Sequence, residues 1–228
     1  MIGDKIIISE YHHEAARMVL EQLKILNMEL PYSIAVSGES GSGKSEIAEV
    51  LRIRLDDMGY KVLVLGQDDY FRLPPHSNHK QRKIDIQWVG PQEVQLQLMN
   101  EHVKKLCNKK KRKVIKPQVH FTDDMIGTET VTGPYDIVIA EGTYTALLKD
   151  VSVHVFIDAN FRETRMHRLS RNRDQSLEND RDQELDFLEH VLEIEHEIIS
   201  QHKNLAQIVI PSEKVLMRIH QKRDVETS

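Results

Sequence analysis

Short β-branched and apolar runs recur along the chain, at Lys5–Ile8, Tyr32–Ser37, Lys61–Leu65, Asp136–Ala140, Val151–Ile157 and Gln207–Ile210. None has a polar face of its own, which suits strands covered on both sides. Longer stretches with helical spacing lie between them. After Ser9 come Ala15, Ala16, Val19, Leu20, Leu23 and Leu26; further on come Ile47, Val50, Leu51 and Leu55, ending near Gly59. Gly90-Pro91 opens a helix carrying Val94, Leu98 and Leu106, and Leu185, Leu188, Val191, Leu192, Ile198 and Ile199 mark a long late one. Asn160-Phe161-Arg162-Glu163 has the form of a capping box just after a strand. Strands alternating with helices predict βαβ units, a parallel sheet and right-handed crossovers. Ligands of such sheets bind beyond the carboxyl ends of the strands, so candidate chemistry is sought there.

The 228 residues suit one domain, with no repeat and no Pro/Gly/Ser-rich linker. With 31 Lys and Arg against 36 Asp and Glu the net charge is −5, which argues against a general nucleic-acid binder. No apolar run approaches the ~18 residues of a membrane span, and the N-terminus has no signal-peptide pattern. The single Cys107 cannot form an internal disulfide; together these features predict a cytoplasmic protein. Lys104 to Lys116 holds eight basic residues and no acid, and reads as a solvated helix end rather than a phosphate-attracting patch.

Glycine is scarce, 10 in all, yet Gly38, Gly41 and Gly43 fall together. They belong to Gly38-Glu39-Ser40-Gly41-Ser42-Gly43-Lys44-Ser45, which matches G-x-x-x-x-G-K-[ST] between a strand and a helical pattern. In such a loop, backbone N–H groups curl into an anion nest and the helix N-terminus points at the same phosphate. Lys44 supplies a point charge for the β- and γ-phosphates, and the Ser45 hydroxyl is a hard oxygen ligand for Mg²⁺. The whole loop, residues 38 to 45, is therefore the candidate nucleotide-phosphate site, which by itself leaves ATPase, GTPase, motor and kinase open. Glu39 is an unusual charge within it, and its carboxylate is expected to face solvent.

Two further strand ends carry acids. Gln67-Asp68-Asp69-Tyr70-Phe71-Arg72 follows the run ending at Leu65, where a carboxylate would lie beside the γ-phosphate as base or orienting group. Chain alternation turns Asp68 and Asp69 in different directions, so one of the two reaches the phosphate. Tyr135-Asp136-Ile137-Val138-Ile139-Ala140-Glu141-Gly142 has the form of a Walker B strand, whose acid holds Mg²⁺. Arg162, Arg165, Arg168, Arg171, Arg173 and Arg181 follow a third strand and suit a lid that clamps phosphate and excludes water. Tyr70, Phe71 and Trp88 form either an aromatic wall for a base or part of the core.

These motifs resemble, in order, those of the uridine kinase/phosphoribulokinase family of P-loop kinases, over roughly Tyr32 to Pro211. Gln67-Asp68-Asp69-Tyr70-Phe71-Arg72 is similar to the family's Gln-Asp-Ser-Phe-Tyr-Arg, which makes Asp68 the catalytic acid. Ile139-Ala140-Glu141-Gly142 is similar to its Phe-Glu-Gly segment, placing Glu141 near Mg²⁺. Val155-Phe156-Ile157-Asp158 with Arg165 and Arg168 resembles the strand and lid, and Ala206-Gln207-Ile208-Val209-Ile210-Pro211 its closing strand. The substrate side departs: Lys83-Ile84-Asp85-Ile86-Gln87-Trp88 stands for Asn-Phe-Asp-His-Pro, and Pro117-Gln118-Val119-His120-Phe121 lacks the Tyr-Asp pair of Pro-x-Tyr-Asp-Phe.

The resemblance implies an α/β P-loop NTPase-type three-layer fold with a mostly parallel sheet and an arginine-rich lid. It implies one kinase domain over 1–228, with the P-loop and catalytic acid in 30–90, a substrate-side insertion in 91–134 and the lid in 160–182. ATP and Mg²⁺ are the implied cofactors. Asp68 and Lys44 are catalytic, Arg168 and Arg173 join the loop at ATP, Tyr70, Asp85, His120 and Arg165 are substrate candidates, and Ser45 with Glu141 holds the metal. The implied reaction is transfer of the γ-phosphoryl group to a hydroxyl of uridine or a related nucleoside, by a homodimer or tetramer. Kinases of other small metabolites, such as a sugar phosphate or pantothenate, and a nucleotide-switched regulator without activity stay open.

Overall fold

The computed structural model describes residues 6–23, 29–120, 124–164 and 181–218. In chain order the elements are α1 (Glu10–Leu23), β1 (Tyr32–Gly38), α2 (Lys44–Asp57), β2 (Val62–Gly66), α3 (Pro75–Ile84), α4 (Leu96–Leu106), β3 (Lys113–His120), β4 (Met125–Thr132), β5 (Ile137–Glu141), β6 (Val153–Asp158), α5 (Arg181–His202) and β7 (Ile208–Pro211).

Five strands form a parallel sheet in the order β2-β5-β1-β6-β7, and β3 and β4 form a separate antiparallel hairpin. The alternation of each central strand feeds two cores. Ile137 and Ile139 of β5 join Ile34 and Val36 of β1 in packing on α1 and α2, through Ala15, Val19, Ile47 and Leu51. Val138 and Ala140 point the other way, onto Met99, Val103 and Leu106 of α4 and Ile199 of α5. Both faces are covered, so the strands are apolar on both sides and the layers number three, as the sequence pattern implies.

Register brings the chemistry to one edge. Val36 pairs with Glu141, Gly66 pairs with Glu141, and Gly38 pairs with Ile157, so β1, β2, β5 and β6 end level with one another. The turns after β2 and β5 interlock there. Gln67 accepts the Tyr144 N–H at 2.7 Å and donates to Thr143 Oγ1 at 2.9 Å, and Gly142 lies directly against it.

Three expectations need correction. Ile6, Ile7 and Ile8 form no strand and are 47%, 67% and 36% exposed, because β propensity describes fit to a pleated, half-buried surface and this stretch meets none. The helix opened by Gly90-Pro91 begins only at Leu96; Pro91–Glu93 is a 3-10 turn in which Glu93 accepts the Gly90 N–H. The basic run divides. Lys104 and Lys105 do end α4, but Lys113 and Lys116 lie on β3, and Lys116 is buried. The hydrogen bonds of the capping box are present: Asn160 Oδ1 accepts the N–H groups of Arg162 and Glu163, and Glu163 reaches back to the Asn160 N–H; residues 161–164 form a turn, and the helix expected from it lies outside the described residues.

A Cβ placed on Gly142 would stand 2.2 Å from Cβ of Gln67, at a backbone φ of +156° that side chains disfavour. Gly142→Ala is expected to cost about 3 kcal/mol or more, read as a lowered urea midpoint, because both interlocked turns must shift. An unchanged midpoint would show that the interlock does not constrain the strand ends.

Candidate active site

The chain from β1 into α2 wraps a closed loop. Gly43, at φ +87°, is the last residue before the helix, and the His12 ring of α1 sits so close that a Cβ there would lie 2.7 Å from Nε2. Only glycine meets both demands. His12 is held in place because its Nδ1 accepts the Ser9 N–H at 2.9 Å. The Lys44 ammonium folds over the loop and donates to the Glu39 carbonyl at 2.7 Å. Ser45 Oγ donates to Glu141 Oε2 at 3.2 Å, which joins the loop to the end of β5.

Glu141 is under electrostatic pressure. Burial, then the nearby charge of Asp68, raise its pKa to about 7, with Lys44 and the Ser45 hydroxyl pulling the other way. Asp68 and Glu141 thus stand at adjacent strand ends, while Asp69 turns aside to Lys116 at 2.8 Å and to the Val119 N–H at 3.1 Å. This is the divergence expected of adjacent acids. A cleft of about 290 Å³ continues from the loop, walled by Gly41, Ser42, Gly43, Ala159, Ser212 and Lys214.

With loop, strand ends and cleft so arranged, a family model described as Phosphoribulokinase / Uridine kinase matches residues 33–217. The chain belongs to that family. Among its relatives is a uridine kinase of Staphylococcus haemolyticus, 29% identical over 186 residues, which span 78% of this chain and 86% of that one. In fold it is similar to a putative fructose transport system kinase from Silicibacter, with a TM-score of 0.61 at 18% identity over 88% of this chain and 98% of that one. A possible uridine kinase from Bacillus stearothermophilus aligns with a TM-score of 0.57 at 15% identity, over 86% and 97% of the two chains. The match to the family begins after α1, so His12 and Tyr11 stand against the loop from outside the matched segment.

The remaining site candidates of this family member fall in different places. Tyr70 is fully buried, and its hydroxyl lies 3.0 Å from His102 Nδ1, so it belongs to the core and offers no surface to a ligand. Trp88 donates from Nε1 to Asn78 Oδ1 at 2.8 Å, so Tyr70 and Trp88 do not form one wall. Asp85 is exposed and caps the 3-10 turn that follows it, accepting the Gln87 N–H at 3.0 Å. His120 ends β3 with its ring over Gly127 of the facing strand. Arg165, Arg168, Arg171 and Arg173 lie outside the described residues, and with them most of the expected lid. Arg162 is exposed over the Phe161 ring.

Glu39 corrects another expectation. It is buried rather than solvated, because α5 crosses above the loop and His196 Nδ1 meets its carboxylate. A buried charge of this kind requires a partner. The same helix reaches the opposite side of the groove, where Arg82 bonds Glu93 at 2.6 Å and Glu195 at 2.8 Å. Burial raises the Glu195 pKa, and Arg82 and Lys44 oppose the rise. His196, Glu195, Arg82 and Lys116 had no sequence signal, since each pairs with a residue far away in the chain.

The raised Glu141 pKa gives a signed prediction. A carboxyl that binds its proton more tightly folded than unfolded stabilises fully below its unfolded pKa and loses that contribution as pH rises through the folded one. Metal-free protein should therefore lose up to about 3 kcal/mol relative to Glu141→Gln between pH 4.5 and pH 8, with the variant the more stable at the alkaline end. Parallel thermal unfolding series over that range check it, and wild-type and variant curves that do not converge toward acid would refute the assignment.

Proposed function

We propose that this family member is an ATP-dependent kinase that transfers the γ-phosphoryl group to a hydroxyl of a small molecule, with uridine or a related nucleoside the first acceptor. The observation that carries the reading is the meeting of Ser45, Glu141 and Asp68 at one groove beside Lys44. The amides of residues 38 to 45 would surround the terminal phosphates, and the adjoining cleft would take the nucleoside end of ATP. Lys44, now on a loop carbonyl, has the length and charge to move onto the β- and γ-phosphates.

The donor set fits Mg²⁺. Ser45 Oγ and Glu141 Oε2 are hard oxygens 3.2 Å apart, and a second carboxylate crowds Glu141 without neutralising it. Ser45 and Glu141 would hold such an ion, and it would supply positive charge against the two acids and the phosphates. Asp68 would accept the hydroxyl proton as the oxygen attacks, or orient that hydroxyl for in-line transfer. Arg165, Arg168 and Arg173 would close over the phosphates from the lid.

The nature of the acceptor is the less constrained part. Asp85 is occupied by its own turn and the Tyr-Asp pair of the uridine kinase pattern is missing, which favours keeping a sugar phosphate or another metabolite as a second reading. A panel of nucleosides, sugar phosphates and pantothenate with γ-labelled ATP separates these readings. A phosphorylated product is the expected result; no product across the panel would favour the nucleotide-switched regulator.

With the acceptor so found, Asp68→Asn is expected to lower turnover by about 10³-fold or more while ATP affinity stays within roughly threefold, measured by steady-state kinetics and calorimetry. Lys44→Ala should weaken both. Turnover at the wild-type rate in Asp68→Asn would remove Asp68 from the chemistry.

A further inference from the structure

The β3–β4 hairpin is outside the main sheet, and polar bonds tie it both to the start of α3 and to the turn carrying Asp68. At its tip, Asp124 caps the start of α3, its Oδ1 accepting the His76 N–H and its Oδ2 the Ser77 hydroxyl, both at 2.8 Å. Nearer its middle, Lys116 Nζ lies 2.8 Å from Asp69 Oδ2, with the two side chains 9% and 8% exposed. The other oxygen of Asp69 accepts the Val119 N–H at 3.1 Å. Asp69 thus grips β3 at points three residues apart, which limits rotation as well as distance. Lys116 is itself steadied across the hairpin by Glu129, at 3.0 Å in the paired register.

A buried ion pair gives little net stability over an apolar pair of the same size, but it tolerates little displacement. Here it joins the residue next to Asp68 to the strand that ends at His120. The turn at 67–70 stands at the carboxyl edge of the sheet, two strands over from the strand that leads into the P-loop, and it is there that β3 is tied on through Asp69.

We propose that Asp69 is a positioning residue for phosphoryl transfer: by clamping Lys116 and the Val119 amide it sets the separation between the hairpin with His120 and the carboxylate of Asp68, and so the place of the acceptor hydroxyl. This role rests on the kinase reading above. It requires no contact between Asp69 and substrate. Asp68 and Asp69 divide the work, one facing the phosphoryl groove and the other holding the wall opposite.

The test uses Asp69→Asn, Lys116→Met, Lys116→Arg and the double variant Asp69→Asn/Lys116→Met in the full chain. Each single neutralising change should raise the acceptor KM by about tenfold or more, with ATP KM within about twofold, and should speed amide exchange in peptides covering 113–132. Lys116→Arg should recover most of the acceptor KM. The double variant leaves no stranded buried charge, so its thermal stability should return toward wild type while its acceptor KM stays high. Recovery of acceptor KM along with stability would show that the pair only supports the fold, and overturns the role. So does a working enzyme whose acceptor KM is indifferent to the single changes. A wild-type protein that phosphorylates no acceptor overturns the kinase reading, and this role with it.

Discussion

Like charge gathered at the ends of parallel strands governs this structure. Glu141 ends β5, Asp68 follows β2 closely, and the register brings both to the same edge as the P-loop, where the charge of Asp68 and burial disfavour ionisation of Glu141. Two carboxylates in a half-buried groove cost free energy unless cations answer them. Lys44 and the Ser45 hydroxyl answer in part. On the proposed reading, a nucleotide with its divalent ion would supply the rest. The interlocked turns at Gln67 and Gly142 keep the two acids from separating to relieve the strain.

The surrounding ion pairs extend this logic. α5 spans the groove, meeting the P-loop through His196 and Glu39 and the α3 side through Glu195 and Arg82. Arg82 also bonds Glu93, which is completely buried. Loss of one partner from such a cluster typically costs about 3–5 kcal/mol, because a charge is left without compensation.

What could be read from the sequence was local. The P-loop, the acids at the ends of β2 and β5, and the Asn160 capping box each consist of neighbouring residues whose spacing is itself the signal. The three-layer sheet was legible because its strands are apolar on both faces. α3 was not: Pro75–Ile84 has no apolar stripe, and it is held by Asn78, Arg82 and the Asp124 cap instead. The β3–β4 hairpin was hidden by a basic run, since nothing local distinguishes a lysine on a solvated helix end from one that will be buried against Asp69. Glu39 was misread for the same reason, its partner lying 157 residues away.

The two halves of the site differ accordingly. Phosphate is the same ligand in every such protein, and backbone amides in a short glycine-rich turn suffice to hold it, so its determinants stay contiguous. An acceptor must be recognised by shape and by scattered polar groups, which on the proposed reading would come from α3, the hairpin and α5, brought together by long-range pairs. On that reading, substitution at any of those pairs would move a wall of the acceptor site without touching the P-loop. That is why the phosphate-binding loop is legible as one contiguous motif, whereas the acceptor has to be established by experiment on this chain.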